Sequence, residues 1–505
     1  MSVMRTKPIE DVIAQSDDQA GPEGGRLRRR LGPLDLMGFG IGIVIGTGIF
    51  TLTGIEARDH AGPAVIVSFA LAGVASLLAA LCYAELASSV PTAGSAYTYA
   101  YATMGEIVAW IIGWDLVLEF ALGAAVVARG WSGYLAELFD LPAAFFGESS
   151  TVNVGAIGVV LVLGTVATIG IRQSSRVTNV LVVVKIAICV FVVVAGLFFV
   201  RAANLAPFVP PAQPPAVGES GLARPLSQVL FGLEPSAFGV AGVLTAAAVV
   251  FFAYTGFEAV ANLGEETRRP HRDLPLGLFG TLGISTVLYI AVSFVVVGMV
   301  DYRQIDPGAP IASAFSTVGA GWASALISIA AVAGLTSVIL VDIVAIGRIG
   351  FAMSRDRLLP PAVGAVHRSW GTPYRITTAV TVGVALLAGF VPLSSLANLV
   401  SIGTLFAFVL VNVGVIILRK TRPEMPRPYR VPWSPFLPIL GVLFAVYLML
   451  DLPLDTWIRF VVWLALGVII YFTYGYRHSR VRQDAINGVP NNWETQDRPG
   501  DGEPK

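Results

Sequence analysis

The chain has 505 residues, 55% hydrophobic and only 13% charged, with a mean hydropathy of +0.74 and 33 basic residues balanced by 33 acidic ones. Soluble globular domains carry about 25% charged residues, so the composition excludes a soluble globular chain and predicts an all-α polytopic membrane protein in a lipid bilayer. Zero net charge leaves no electrostatic footprint for nucleic acid.

Residues 1–30 are polar and end in the basic run "RLRRR", so 1–33 reads as a cytoplasmic segment without a cleavable signal sequence, and the first span must direct insertion. Apolar segments of spanning length, roughly 20 residues, follow at 34–56, 63–88, 105–135, 152–171 and 177–200. A loop over 201–240, headed by "PFVPPAQPP", separates these from a second set at 241–264, 274–299, 311–346, 374–391 and 394–418. A proline-rich cytoplasmic connector, 419–433, leads to two final spans at 434–451 and 457–476, and the polar tail 477–505 reads as disordered. The total is about twelve spans. The third and eighth exceed a perpendicular crossing and predict tilt or extension beyond the bilayer. Cys82 and Cys189 sit in apolar segments as core residues, and the four histidines lack metal-ligand spacing, so no metal site is expected.

Basic residues orient the chain. With a cytoplasmic N-terminus, 26 lysines and arginines fall on inner segments and four (Arg58, Arg201, Arg224, Arg303) on outer loops, the other three lying within spans. Both termini are therefore expected in the cytoplasm and the number of spans is expected to be even. The outer loop 201–240 carries no reading beyond a proline-rich insertion.

Two spans are interrupted. The first contains "GFGIGIVIGTGIF" (38–50), in which Gly42 and Gly46 have the small-xxx-small spacing of close helix packing. That spacing leaves "GTG" (46–48) unexplained, because two glycines around a β-branched threonine disfavour helix. In the sixth span "YTG" (254–256) breaks the apolar run "VVFFAYTGFEAVANLGEE". The second interruption lies five spans after the first, an odd offset, so two five-helix repeats, 34–200 and 241–418, would be inverted relative to each other. Paired interrupted segments mark a transporter site at the bilayer midplane. Unwinding at Gly46, Thr47 and Gly48 frees backbone N–H groups suited to a carboxylate. The preceding half-helices free carbonyls at Ile43, Val44 and Ile45, and at Phe252, Ala253 and Tyr254, suited to an ammonium group. The expected substrate is thus an α-amino acid.

"GFGIGIVIGTGIFTLTG", "CYAELASSVPTAGSAYTYAYATMGE", "GWDLVLEFALGAAVVARGWSGYL", "FFAYTGFEAVANLGEETRRPHRDLP" and "FAMSRDRLLPP" together resemble the amino acid–polyamine–organocation superfamily, in particular its cationic amino acid transporter branch. The resemblance covers roughly residues 30–475. It implies a LeuT-like fold of two inverted five-helix repeats with discontinuous first and sixth helices, plus two peripheral helices. It places the carboxylate-binding motif on Gly46-Thr47-Gly48, the ammonium-binding turn on Phe252 to Thr255 and an aromatic gate on Phe252. It also places a determinant of substrate size and charge in the eighth span at Leu335 or Thr336: leucine would favour small neutral amino acids, and threonine would leave room for lysine or arginine.

Intramembrane ionisable residues each call for a reading. Lys185, in "NVLVVVKIAICVFVV", lies about 12 Å of helical rise from its span's start, too deep for easy snorkelling; an amine in apolar surroundings can take up and give up a proton. It resembles the fifth-helix lysine of proton-coupled superfamily members, which stands where sodium-dependent relatives bind sodium, so proton coupling is expected and sodium is not. Asp115 and Glu119 share a face of the third span. Asp115 is expected to serve structure with the tryptophans of "WIIGWD", and Glu119, matching the family's "LEF" glutamate, to relay protons or meet substrate, with a structural role nearly as strong. Asp342 departs from the family pattern, which has an apolar or small residue there; it reads as an inner-end aspartate meeting Arg348 or water. Glu85 is expected to organise the cytoplasmic gate, and Glu258, Glu265 and Glu266 to form an inner charge network with Arg268 and Arg269.

No Gly-x-Ser-x-Gly, P-loop or HExxH motif is present, and Ile43 spoils the dinucleotide spacing of "GFGIGI", which argues against an enzyme. The chain lacks a repeated selectivity-filter motif, and it has no soluble output domain for a receptor. The expectation is a permease of the plasma (inner) membrane, taking up cationic (arginine, lysine, ornithine) or small neutral amino acids with a proton by alternating access, with no other cofactor. Amino acid exchange is the alternative. Polyamine transport is less favoured because polyamines lack a carboxylate. Whether a small accessory membrane subunit binds is left open.

Overall fold

The computed structural model describes residues 31–89, 97, 100, 101, 104–148, 150–170, 175–213, 221–232, 237–480, 482 and 483. The expected N-terminal segment up to residue 30, most of the inner loop 89–104, Arg172, the Glu265 side chain and the tail from 484 lie outside the described residues.

Helices dominate, and no strand forms beyond isolated bridges among the described residues. In chain order the main helices are α1 Pro33–Val44, α2 Val65–Ser89, α3 Glu106–Phe139, α4 Val154–Ile169 and α5 Ser175–Gly196. They continue as α6 Gly239–Val250, α7 Pro270–Met299, α8 Gly321–Arg355, α9 Tyr374–Phe390 and α10 Leu393–Thr421. The last two are α11 Phe436–Leu450 and α12 Leu454–Ile470. Pro33 and Pro270 open their helices at positions where a missing N–H is harmless. Among the described residues eight helical stretches are long and apolar enough to cross a membrane, and four shorter apolar helices (α1, α4, α9, α11) accompany them.

The long α3 and α8 run side by side, with α10 on another flank of α3. On the other side α7 packs against both α1 and α2. The α1 glycines make these approaches possible: a side chain at Gly40 would meet Thr281 and Val260, and one at Gly42 would meet Val182 of α5. Gly38 faces open space, so close packing is confined to Gly40 and Gly42.

Two parts of the chain differ from the expected pattern. The single span expected over 311–346 is two helices, Pro310–Thr317 and α8, because the chain turns at Gly319 with φ +83°, a conformation glycine adopts at no steric cost. In the 201–240 connection, expected only as a proline-rich insertion, residues 224–227 are tied down: Leu226 N–H donates to Leu452 (3.0 Å), Leu454 N–H to Arg224 (2.9 Å) and the Ser227 hydroxyl to Asp451. This strap fixes the turn between α11 and α12.

Candidate functional site

Helix α1 ends at Val44, and Ile45 is extended (φ −73°, ψ 94°) while its N–H still donates to Ile41 (2.9 Å). Helical structure resumes in a wide turn, Gly48–Leu52, followed by Thr53–Glu56. The N–H groups of Gly46, Thr47 and Gly48 have no hydrogen-bond partner among the described residues. Buried backbone donors are rarely left so, which makes this run a ready receptor. The Thr47 and Thr51 hydroxyls beside it are also buried without partners, packed on Gly130 of α3.

The second interruption follows α6. A tight turn, Phe251–Tyr254, leads to extended Thr255 and to Gly256 at φ +96°, and a narrow helix continues over Phe257–Glu266. Its groups are satisfied internally. Thr255 donates to Phe252 through both N–H and hydroxyl (3.1 and 2.9 Å). The Gly256 N–H donates to both oxygens of Glu258 (3.1 Å each). The breaks touch where Gly48 meets the backbone of Ala253, leaving no room for a side chain at Gly48.

Tyr289 of α7 corrects the expectation that carbonyls at both breaks stand free for an ammonium group. Its hydroxyl lies 2.7 Å from the Val44 carbonyl and 2.9 Å from the Ala253 carbonyl, while Phe252 accepts from Thr255. The sequence signal was a tyrosine in the apolar run "TVLYIAVSF": a buried phenol usually finds a polar partner. Which carbonyls it would choose depends on packing between distant helices.

A narrow cavity of about 40 Å³ lies between the breaks, α3 and α8. Of the expected residues, Val44, Gly46, Thr47 and Gly48 line it from one side and Phe252 and Thr255 from the other. Glu119, on α3, faces it too. Ile45, Ala253 and Tyr254 are buried beside the cavity, off its lining. The Tyr254 hydroxyl is turned away to the Phe69 carbonyl (2.8 Å). On α8 the lining residues are Val338 and Asp342, with Leu335 buried elsewhere and Thr336 receiving the Trp131 indole N–H (3.0 Å). The helix thus turns the expected selectivity positions away from this cavity and presents residues about one turn further along.

Lys185 is fully enclosed. Its ammonium donates to the Gly42 carbonyl (2.6 Å) and its stem lies where a side chain at Gly334 would stand. Asp342 was expected near the inner interface with Arg348; instead it is 6% exposed, lines the cavity and pairs with no arginine among the described residues. Both oxygens of Asp115 are buried without partners, against the expectation that the nearby tryptophans engage it. Trp110 and Trp114 donate instead to the carbonyls of Gly467 (2.8 Å) and Trp463 (2.9 Å). Arg129, an unassigned charge in α3, donates to the last-turn carbonyls of α9 at Ala388 and Gly389, capping that helix.

The inner charge network is also rearranged. Glu258 caps the second break, and it forms no ion pair with Arg268 or Arg269 among the described residues. Glu85, at the end of α2, accepts from Arg419 (2.9 Å) and from the Val431 N–H (2.7 Å), with Arg427 at 3.6 Å. Sequence separation hid these partners, which lie on the connector.

The amino acid permease family profile matches residues 31–473. The chain belongs to that family. The permease is 41% identical over 488 residues to the methylthioribose transporter of Bacillus subtilis (strain 168), covering 95% of this chain and 99% of the relative. It is 40% identical over 495 residues to the branched-chain amino acid permease BcaP of the same organism, with the same coverage. It is 37% identical over 433 residues to the vacuolar cationic amino acid transporter 4 of Arabidopsis thaliana, covering 84% of this chain and 68% of the relative. The permease is therefore a multi-pass membrane transporter of the amino acid–polyamine–organocation superfamily and not an enzyme.

Proposed function

We propose that the permease takes up α-amino acids, cationic or small and neutral, by alternating access in the plasma membrane, with both termini in the cytoplasm and a proton as the coupling ion. The reading supposes twelve crossings in a LeuT-like arrangement: two inverted five-helix repeats, each opened by an interrupted helix, with α11 and α12 at the periphery. The observation that carries it is the run of three N–H groups at Gly46, Thr47 and Gly48, unpaired among the described residues, in backbone that lines the cavity. An α-carboxylate supplies the acceptors those donors lack, and Phe252 and Thr255 close the cavity opposite. Relatives named for branched-chain and cationic amino acids support the substrate class.

Lys185 supports proton coupling. Protonated, its amine holds the last turn of α1 through a charge-assisted bond to Gly42; deprotonated, it holds that turn less firmly, so proton movement and the position of α1 are linked. Glu119 and Glu258 supply further acidic groups on the same side of the fold. Glu85, with its arginine partners, serves as the inner latch.

Uptake by the reconstituted protein tests the reading. Labelled amino acids should accumulate when an inward proton gradient is imposed, and Lys185→Ala should abolish that dependence while leaving counterflow measurable. Gradient-driven uptake by Lys185→Ala at the wild-type rate would remove the coupling role. Methylthioribose, which has neither an α-carboxylate nor an amine, should not compete; strong competition by it would overturn the carboxylate assignment at Gly46–Gly48.

A further inference from the structure

The charged side chains that line the cavity are both acidic, Glu119 and Asp342. Asp342 is nine-tenths buried, faces the cavity and makes neither a hydrogen bond nor an ion pair among the described residues. It follows Val338 by one helical turn on α8, so the two share a face. Val338 reaches to 3.9 Å from the place a Gly46 side chain would occupy, and an Asp342 oxygen to 3.4 Å from the corresponding place at Gly123. Gly123 itself lies one turn from Glu119 on α3. The glycine thus makes the space into which the second carboxylate points.

Enclosing a carboxylate without a partner is expensive, and intramembrane carboxylates usually face a cation or a substrate path. The charged groups acting on Asp342 through space are Glu258 and Glu119, both acidic, and Lys185, whose amine is already bound to Gly42. A zwitterionic substrate adds no net charge. A substrate with a second positive group would neutralise the acidic lining that remains once its α-carboxylate is held at Gly46–Gly48.

Building on the amino acid reading above, we propose that Asp342 is the specificity-determining residue: it receives the distal ammonium or guanidinium of a cationic amino acid, one turn along α8 from the head-group end of the cavity. Val338 sets the width between the two ends, and Glu119 stands within the same field. The expected selectivity positions Leu335 and Thr336 take no part, since neither faces the cavity.

The test compares arginine with citrulline, its uncharged isostere, in the reconstituted full-length protein, for wild type, Asp342→Asn and Asp342→Glu. Wild type should favour arginine by about ten-fold or more in kcat/KM, and Asp342→Asn should bring the ratio near one. Asp342→Glu should restore most of the preference. A ratio within one protein does not depend on how much of it is folded, so poor yield of the asparagine variant does not blur the result. An unchanged ratio in Asp342→Asn, or wild-type uptake confined to neutral amino acids, would overturn the role of Asp342 while leaving amino acid transport intact. Failure of the wild type to bind any amino acid would instead strike the underlying reading.

Discussion

The two interrupted segments look alike in sequence, each a glycine-containing break in an apolar helix, yet they resolve their backbone in opposite ways. The second break consumes its own donors, Thr255 on Phe252 and Gly256 on Glu258. The first leaves three consecutive donors unpaired at Gly46, Thr47 and Gly48, while Tyr289 occupies its Val44 carbonyl. On the proposed reading one break is a receptor and the other a shaped wall. What separates them is a carboxylate two residues downstream: Glu258 supplies from within the chain what, on the proposed reading, the first break would obtain from a ligand.

The largest expected effect comes from breaking the receptor. Gly48→Leu forces a side chain into the Ala253 backbone and should reduce uptake by more than about 100-fold, since a misplaced site group can cost that much. Surface biotinylation should still find the protein in the membrane, and near-normal uptake would end the comparison. Next is the tie between the breaks. Tyr289→Phe removes the one donor shared by the Val44 and Ala253 carbonyls, at about 1–3 kcal/mol, and should slow turnover roughly ten-fold with a measurable fall in Tm. A variant with unchanged turnover would mean that the breaks do not move together.

Glu258→Gln should act on the wall and not on the receptor. It weakens a helix cap worth about 1 kcal/mol, so thermal unfolding in detergent should shift by a few degrees while the affinity for a neutral amino acid stays within about two-fold. A loss of affinity equal to that of Gly48→Leu would erase the distinction. Smallest should be Gly46→Ala. The nearest atoms to its new methyl are 3.9 Å away, so the fold accepts it, and the slightly narrowed cavity should raise KM for large substrates more than for alanine.

Much of this arrangement was legible in the residues. The second interruption falls where "YTG" stands and the first at Ile45 and Gly46, on the leading edge of "GTG", where glycine and β-branched residues disfavour helix. Lys185 was recognisably buried, since its depth in an apolar run depends only on helical rise. The facing of α8 was not legible: with apolar residues all around, its sequence does not announce which side meets the cavity, and Leu335 and Thr336 gave way to Val338 and Asp342. Partners of Glu85 and Tyr289 were hidden for a different reason. They are set by contacts between helices far apart in sequence, which no spacing rule encodes. The division at Gly319 was missed because apolar residues continue across it and hide the turn.

The clamp at Glu85 also bears on how the chain assembles. Its carboxylate lies at the end of α2, yet its donors, Arg419 and Val431, are 334 and 346 residues downstream. During synthesis, at about 5–20 residues per second, the early helices must therefore wait many seconds with that anion unmatched. The C-terminal ends of α2 and α10 are joined only once the connector has emerged, which makes this clamp a late, long-range fastening of the molecule. A chain truncated before Arg419 should thus insert its early helices and yet leave the C-terminal end of α2 open to protease, with the site between the breaks loosely held.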